Sequence, residues 1–189
     1  MMGGNYFTTP AEFLINTLFG LYILTIMLRF LLALVRADFY NPVSQFLVRV
    51  TNPPLLALRR FIPAFGKIDT SSLALMIALQ MLALALIYAL RGAMPGPWTL
   101  FVLALQELTR LAINVFLFSI FIQVIISWIN PGAYNPVVSL LYSLTEPVLG
   151  PCRRLLPPIS GLDLSPLLAL IGLQLAKFLI LPLFTLLIL

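Results

Sequence analysis

Four stretches of this sequence, residues 13–35, 72–90, 111–129 and 166–189, are almost unbroken runs of Leu, Ile, Val, Ala, Phe and Met. A helix needs about 20 mostly apolar residues to cross the ~30 Å of hydrocarbon in a bilayer. Lipid offers no partner for a backbone amide, so such runs must bond internally, as helices do. Composition leads the same way: 61% of the 189 residues are hydrophobic and 9% charged, against roughly 45–50% and 25% in a soluble domain. A soluble fold of this size could not cover so much apolar surface with a polar skin. A soluble enzyme, a disordered chain and a nucleic-acid-binding domain are excluded, and no nucleic-acid partner is expected. The fold class is an all-α membrane protein with four transmembrane helices.

Few polar residues interrupt the runs: Arg29 in the first, Gln80 in the second, Gln174 and Lys177 in the fourth. The stretch 98–105 is apolar but too short to cross alone. It either extends the third helix outwards or lies in the interface. Glu107 and Arg110 follow it at a spacing that lets them pair on one helix face. Residues 1–12 hold no Lys or Arg, so the basic start of a secretory signal is missing and the first run is expected to stay as a helix.

The net charge of +5 then reports orientation and contact with anionic lipid. Residues 36–71 hold five Lys and Arg and residues 130–165 hold two, while the segments on the other side hold two in all, Arg91 and Arg110. Seven against two places both long loops in the cytoplasm and both termini outside. Tyr88, Trp98 and Trp128 fall near the span ends, as interfacial aromatics do.

The loops carry a second signal. Shifted by 94 residues, the segment 40–80 matches 134–174 at 17 of 41 positions without a gap. The matches include Asn41–Pro42 with Asn135–Pro136, Arg59–Arg60 with Arg153–Arg154, Asp69 with Asp163 and Gln80 with Gln174. Shared hydrophobicity cannot produce matches in Arg, Asp, Asn and Gln. The chain reads as two tandem repeats, residues 1–94 and 95–189, each helix, loop, helix. Two crossings per unit make the copies parallel, and a pseudo-two-fold axis along the membrane normal is the expected arrangement.

Both loops are too apolar to be solvated. Pro42 suits the first turn of a short helix ending near Thr51, and Pro53 or Pro54 that of a second, ending before Pro63. Phe46, Leu47, Val50, Leu55, Leu58 and Ile62 would face lipid or the bundle, and Arg49, Arg59 and Arg60 the headgroups. Amphipathic segments lying in the membrane plane on the cytoplasmic side fit this pattern.

The blocks Ser127–Trp128, Asn135–Pro136, Thr145–Glu146–Pro147, Arg153–Arg154, Pro157 and Asp163–Leu164–Ser165–Pro166 resemble the signature of the YggT (YlmG) family of small membrane proteins. The first copy carries a weaker version, with Asn52 in place of the acid. The resemblance covers nearly the whole chain. It implies a bacterial inner-membrane protein, with relatives in cyanobacteria and plastids. It also implies links to osmotic-stress tolerance, to cell division or nucleoid distribution and, in plastids, to cytochrome assembly, but no reaction. One departure is Gln123, where family members often carry Arg and the first copy keeps Arg29.

Several residues are candidate sites. Arg59, Arg60, Arg153 and Arg154 serve either to hold the loops inside or to contact anionic lipid or an acidic partner. Asp69 and Asp163 are expected to cap the helices that follow, helped by Ser71 and Ser165, or to fold back onto the Arg pairs as a structural latch. Two lone acids do not supply an ion site. Among the intramembrane polar residues, Arg29 is expected to snorkel, Gln80 and Gln174 to hydrogen-bond with each other or between helices, and Lys177 to reach water near a kink at Pro182.

The sequence has no His and one Cys, Cys152. His-based haem, zinc and acid–base chemistry are therefore excluded, as is an internal disulfide. No paired buried acids, phosphate loop or nucleophile–base pair stands out. The reading is of a non-enzymatic protein without a cofactor that scaffolds or assists other membrane proteins, with anionic lipids, membrane proteins and a homo-oligomer as expected partners. The alternative is a small oligomeric ion channel or transporter using Gln80, Gln174 and Lys177.

Overall fold

The computed structural model describes residues 5–62, 69–130, 132, 135–155 and 163–188. Pro63, Lys67, Tyr134, Pro157 and Leu189, which enter the expectations above, lie outside them. The described residues form six helices and no strand: α1 (Asn5–Leu34), α2 (Pro42–Leu58), α3 (Thr70–Leu90), α4 (Pro97–Ile129), α5 (Pro136–Leu155) and α6 (Ser165–Leu186). Four are long and apolar enough to cross a membrane: Thr8–Leu34 of α1, then α3, α4 and α6. The protein is a multi-pass membrane protein by this measure.

Local chemistry sets most of the helix ends. Asn41 caps α2, its Oδ1 accepting the Val43 N–H at 2.9 Å, and Asn135 Oδ1 accepts the Val138 N–H at 2.9 Å at the start of α5. Pro42, Pro97 and Pro166 occupy first-turn positions, where a missing N–H costs nothing. After α3 the chain turns at Gly92, whose φ of +70° is a left-handed conformation that glycine takes without strain.

One expectation changes, and one open alternative is decided. The first loop forms one helix, Pro42–Leu58, instead of two short ones. Proline's fixed φ is compatible with a helix, so Pro53 and Pro54 cost a hydrogen bond and a bend without forcing a stop. The buried face of Ser44, Leu47, Thr51 and Leu55 runs through on both sides of them. In α5 the helix likewise continues through Pro147 and Pro151. The stretch 98–105 is part of α4, which at 33 residues is ~50 Å long at 1.5 Å per residue. It outreaches the hydrocarbon, so its first turns extend the third span outwards.

Helix α1 packs on α3, and α4 on α6; α2 rests on α1 and α3, and α5 on α4 and α6. The halves meet chiefly where α3 packs on α4, with smaller contacts of α1 with α4 and α5 and of α2 with α5. At the last of these, Asn41 Nδ2 donates to the Pro136 carbonyl at 2.7 Å. Among the described helices α6 does not touch α1. The pseudo-two-fold arrangement expected above would need that contact as the mate of α3 on α4, so the axis is not formed. The core is built from Ile23, Ile26 and Met27 of α1, Leu47 and Leu55 of α2, Leu75 and Met76 of α3, Leu108 and Val115 of α4, and Leu140 and Leu144 of α5. In lipid such a core is held by close packing, because the tails are as apolar as the side chains.

Candidate functional site

Polar side chains gather in two places, each where a short helix crosses a span. At the first, Arg29 Nη1 donates to Thr51 Oγ1 at 2.7 Å and Asn52 Oδ1 at 2.9 Å, both on α2. Thr51 is fully buried and its own hydroxyl donates to the Leu47 carbonyl at 2.6 Å. Helix α2 thus brings acceptors to within one side-chain length of Arg29.

Below this junction Arg59 Nη2 pairs with Asp69 Oδ2 at 2.5 Å. Asp69 is the N-cap of α3, accepting the Ser72 N–H at 3.3 Å and the Ser72 hydroxyl at 2.8 Å. Partial burial pushes the Asp69 carboxyl up, but the hydrogen bonds from Arg59 and Ser72 and the Arg59 charge outweigh it and hold the group below its ordinary value. Ser71 donates to the Ile62 carbonyl at 2.7 Å, tying the start of α3 to the end of the first loop. Arg29, Ser44, Arg59 and Asp69 line an open cavity of about 240 Å³ between α1 and α2.

The second junction uses the positions 94 residues on. Thr145 donates to Gln123 Oε1, and is as fully buried as Thr51. Arg153 Nε donates to Asp163 Oδ2 at 3.2 Å, and Arg153 Nη1 to Glu146 Oε2 at 2.9 Å. Burial opposes the Arg153 charge, but the bonds to Asp163 and the two carboxylate charges raise its pKa. The Asp163 carboxyl is pushed up by burial and pulled further down by Ser165 and Arg153, so it too lies below its ordinary value. Asp163 sits one residue before the N-cap, Leu164, and accepts the Ser165 N–H at 2.9 Å. The fully buried Ser165 hydroxyl has no partner among the described residues; the position matching Ile62 is Leu156, outside them. Gln123, Trp128, Arg153 and Asp163 line an open cavity of about 720 Å³.

The adjacent arginines divide. Arg59 and Arg153 turn to the acids. Arg60 and Arg154 are exposed, and no hydrogen bond or ion pair holds either guanidinium among the described residues. Arg153 and Arg154 are neighbours on α5 and so do not face the same way, and Arg59 and Arg60 divide likewise in the turn after α2.

The remaining polar residues lie elsewhere. Gln80 and Gln174 sit on helices that do not touch, α3 and α6, and so do not bond to each other; neither makes a side-chain hydrogen bond among the described residues. Gln80 instead lines a cavity of about 190 Å³ with Asn16 and Glu107. Lys177 Nζ donates to Asn114 Oδ1 on α4 at 2.8 Å, so a neighbouring helix supplies it with an acceptor. Glu107 and Arg110 pair at 2.6 Å. Sequence reasoning missed two outer ties. Arg91, just past α3, forks onto Glu12 of α1 at 2.8 and 2.7 Å. Trp98 Nε1 on α4 donates to the Leu187 carbonyl at 3.1 Å. The only sequence signal for the first was opposite charge at two span ends. Among the described residues, no three His, Cys, Asp or Glu come together as metal ligands.

The CCB3/YggT family profile matches residues 9–90 and again residues 102–184. An uncharacterized protein of Pseudomonas aeruginosa is 47% identical over 174 residues, 91% of this chain and 88% of its own length. One from Vibrio alginolyticus is 40% identical over 170 residues, 89% and 91% of the two chains. The Escherichia coli K12 protein called uncharacterized protein YggT is 36% identical over 156 residues, 82% and 81% of the two chains. No solved structure matches. By the extent of these matches, the chain belongs to the CCB3/YggT family.

Proposed function

We propose that this protein is a non-enzymatic inner-membrane factor that presents two basic loop surfaces to other membrane proteins and to anionic lipid on the cytoplasmic side. The observation that carries the reading is the division of each arginine pair. One guanidinium fixes the loop to the following span through an acid, and the other stands exposed and uncommitted beside it. An uncommitted Arg can fork onto a carboxylate or a phosphate, which Lys cannot do. The recurrence of the arrangement 94 residues apart, and the family profile matching once in each half, support two parallel repeats. Helices α2 and α5 bury one face and expose charge on the other, which supports amphipathic segments in the membrane plane. The association with osmotic stress, division or cytochrome assembly comes from the family resemblance alone.

Two experiments test this reading. Purification in mild detergent, followed by mass spectrometry, should recover the same membrane-protein partners repeatedly. The double variant Arg60→Ala, Arg154→Ala should lose most of them at unchanged membrane abundance. Full retention of partners by that variant removes the basic surface from consideration. Reporter fusions address orientation: the seven-to-two charge bias predicts a cytoplasmic reporter to be active beside Arg49 and silent at the C-terminus. An active cytoplasmic reporter at the C-terminus overturns the topology.

A second reading, an oligomeric channel, rests on the polar cavity of Asn16, Gln80 and Glu107 among the spans. Ion flux in liposomes holding only this protein, lost on Gln80→Leu, would favour it.

A further inference from the structure

The two halves are covered unequally, and the difference falls on two stripes. Within its own half α3 touches α1 and α2, as α6 touches α4 and α5, but α3 also has α4 against it and α6 has no counterpart. Leu73, Ile77, Met81 and Leu84 of α3 are half-buried. Their mates 94 residues on, Leu167, Ile171, Leu175 and Phe178 of α6, are each more than half exposed. Only 6% of the α6 span is buried, against 22–28% of the other three.

The other side of the internal interface shows the complementary gap. On α4, Leu108 and Val115 are 7% exposed and Ala112 packs against the same core. Their mates on α1 are Leu14, Leu21 and Leu18, which are 56%, 58% and 66% exposed. These spacings of three and four residues make each set one continuous helix face. The chain thus holds one closed copy of an α3–α4 type interface and the two open halves of a second.

We infer that a second copy of this chain covers the α6 stripe with its own α1 stripe, repeating between molecules the packing of α3 on α4 within one. The inference rests on the 94-residue register and not on the arginine loops, so it stands or falls apart from the proposed function. Such a contact is heterologous, one face meeting a different face, and it extends beyond two molecules until a rotation closes the ring. It also gives Gln174 a setting. Its mate Gln80 lines a cavity with Glu107 and Leu111 of α4, whose own mates on α1 are Phe13 and Thr17, so Gln174 would meet Phe13 and Thr17 of the neighbouring copy.

Disulfide cross-linking in native membranes tests this, in a Cys152→Ser background so that the native thiol is silent. Cysteines replace Leu14, Leu18 or Leu21 in one tagged chain and Leu167, Ile171 or Leu175 in a differently tagged chain, and the two are co-expressed. The expected result is a mixed dimer joining an α1 cysteine to an α6 cysteine in at least one combination, with no dimer from either chain alone. A chain carrying both cysteines should give a ladder beyond the dimer. The intramolecular pair Ile77→Cys with Ala112→Cys reports on the internal interface. Three results overturn the inference: no mixed dimer in any combination while that internal pair closes, a dimer from an α1 cysteine alone, which indicates a symmetric contact, or an internal 18–171 bond within one monomer.

Discussion

Replacing Arg29 by Leu should lower stability by about 2–3 kcal/mol, the range for hydrogen bonds to a charged group whose partners stay buried. The guanidinium satisfies Thr51 and Asn52 at 2.7 and 2.9 Å, and with Leu there both lose that donor. Arg29→Lys should cost about half as much, because one ammonium can donate to both acceptors, as the single Nη1 does, but from a shorter side chain. Arg29→Gln should be the mildest change. The second half already uses Gln123 at the matching position, bonded to a Thr that is just as buried. Unfolding midpoints in detergent, followed by helical circular dichroism, would rank the three. If Leu proves as stable as Gln, the hydrogen bonds of Arg29 contribute nothing measurable.

The ranking bears on what was legible in the residues. Span number and placement follow from apolar runs and lipid's lack of hydrogen-bonding partners, and the four long helices lie where those runs predict. The extent of α4 was open, because residues 98–105 are equally apolar in a helix extension and in an interface. The break expected at Pro53–Pro54 failed because prolines resist helix only locally, while the buried face of α2 spans both sides of them. The partner of Arg29 could not be read, since its acceptors lie 22 and 23 residues away on a helix whose crossing point is set by packing. The separation of Gln80 from Gln174 was hidden for the same reason: symmetry in sequence fixes equivalence and says nothing about contact. Ion-pair candidates Arg59, Arg153, Asp69 and Asp163 could be named from spacing, but not which arginine of each pair turns to the acid.

The two acids should respond unequally to removal. Asp69 is both the N-cap of α3 and the partner of Arg59, and its side chain is only 17% exposed. Loss of a cap costs ~1 kcal/mol, and loss of a partly exposed ion pair up to ~1 kcal/mol more, so Asp69→Ala should cost about 2 kcal/mol. Asp163 stands before the cap position, holds Arg153 at 3.2 Å, and shares it with Glu146. Its loss leaves Arg153 neutralised by Glu146 but removes the acceptor of the Ser165 N–H, so Asp163→Ala should cost about 1 kcal/mol, an exposed-pair value plus part of a cap. The pH dependence follows the same order. Both carboxyls lie below their ordinary value of 3.8 in the folded protein. A depressed carboxylate gives stability that is complete above the unfolded value and lost as pH falls through the folded one. The wild-type midpoint should therefore drop as pH is lowered below about 4, a window set by the ordinary value of 3.8. Asp69→Asn should start lower at neutral pH and flatten most of that drop, and Asp163→Asn should change little. An acid transition left intact by Asp69→Asn would mean that the Arg59–Asp69 pair is not what couples folding to pH.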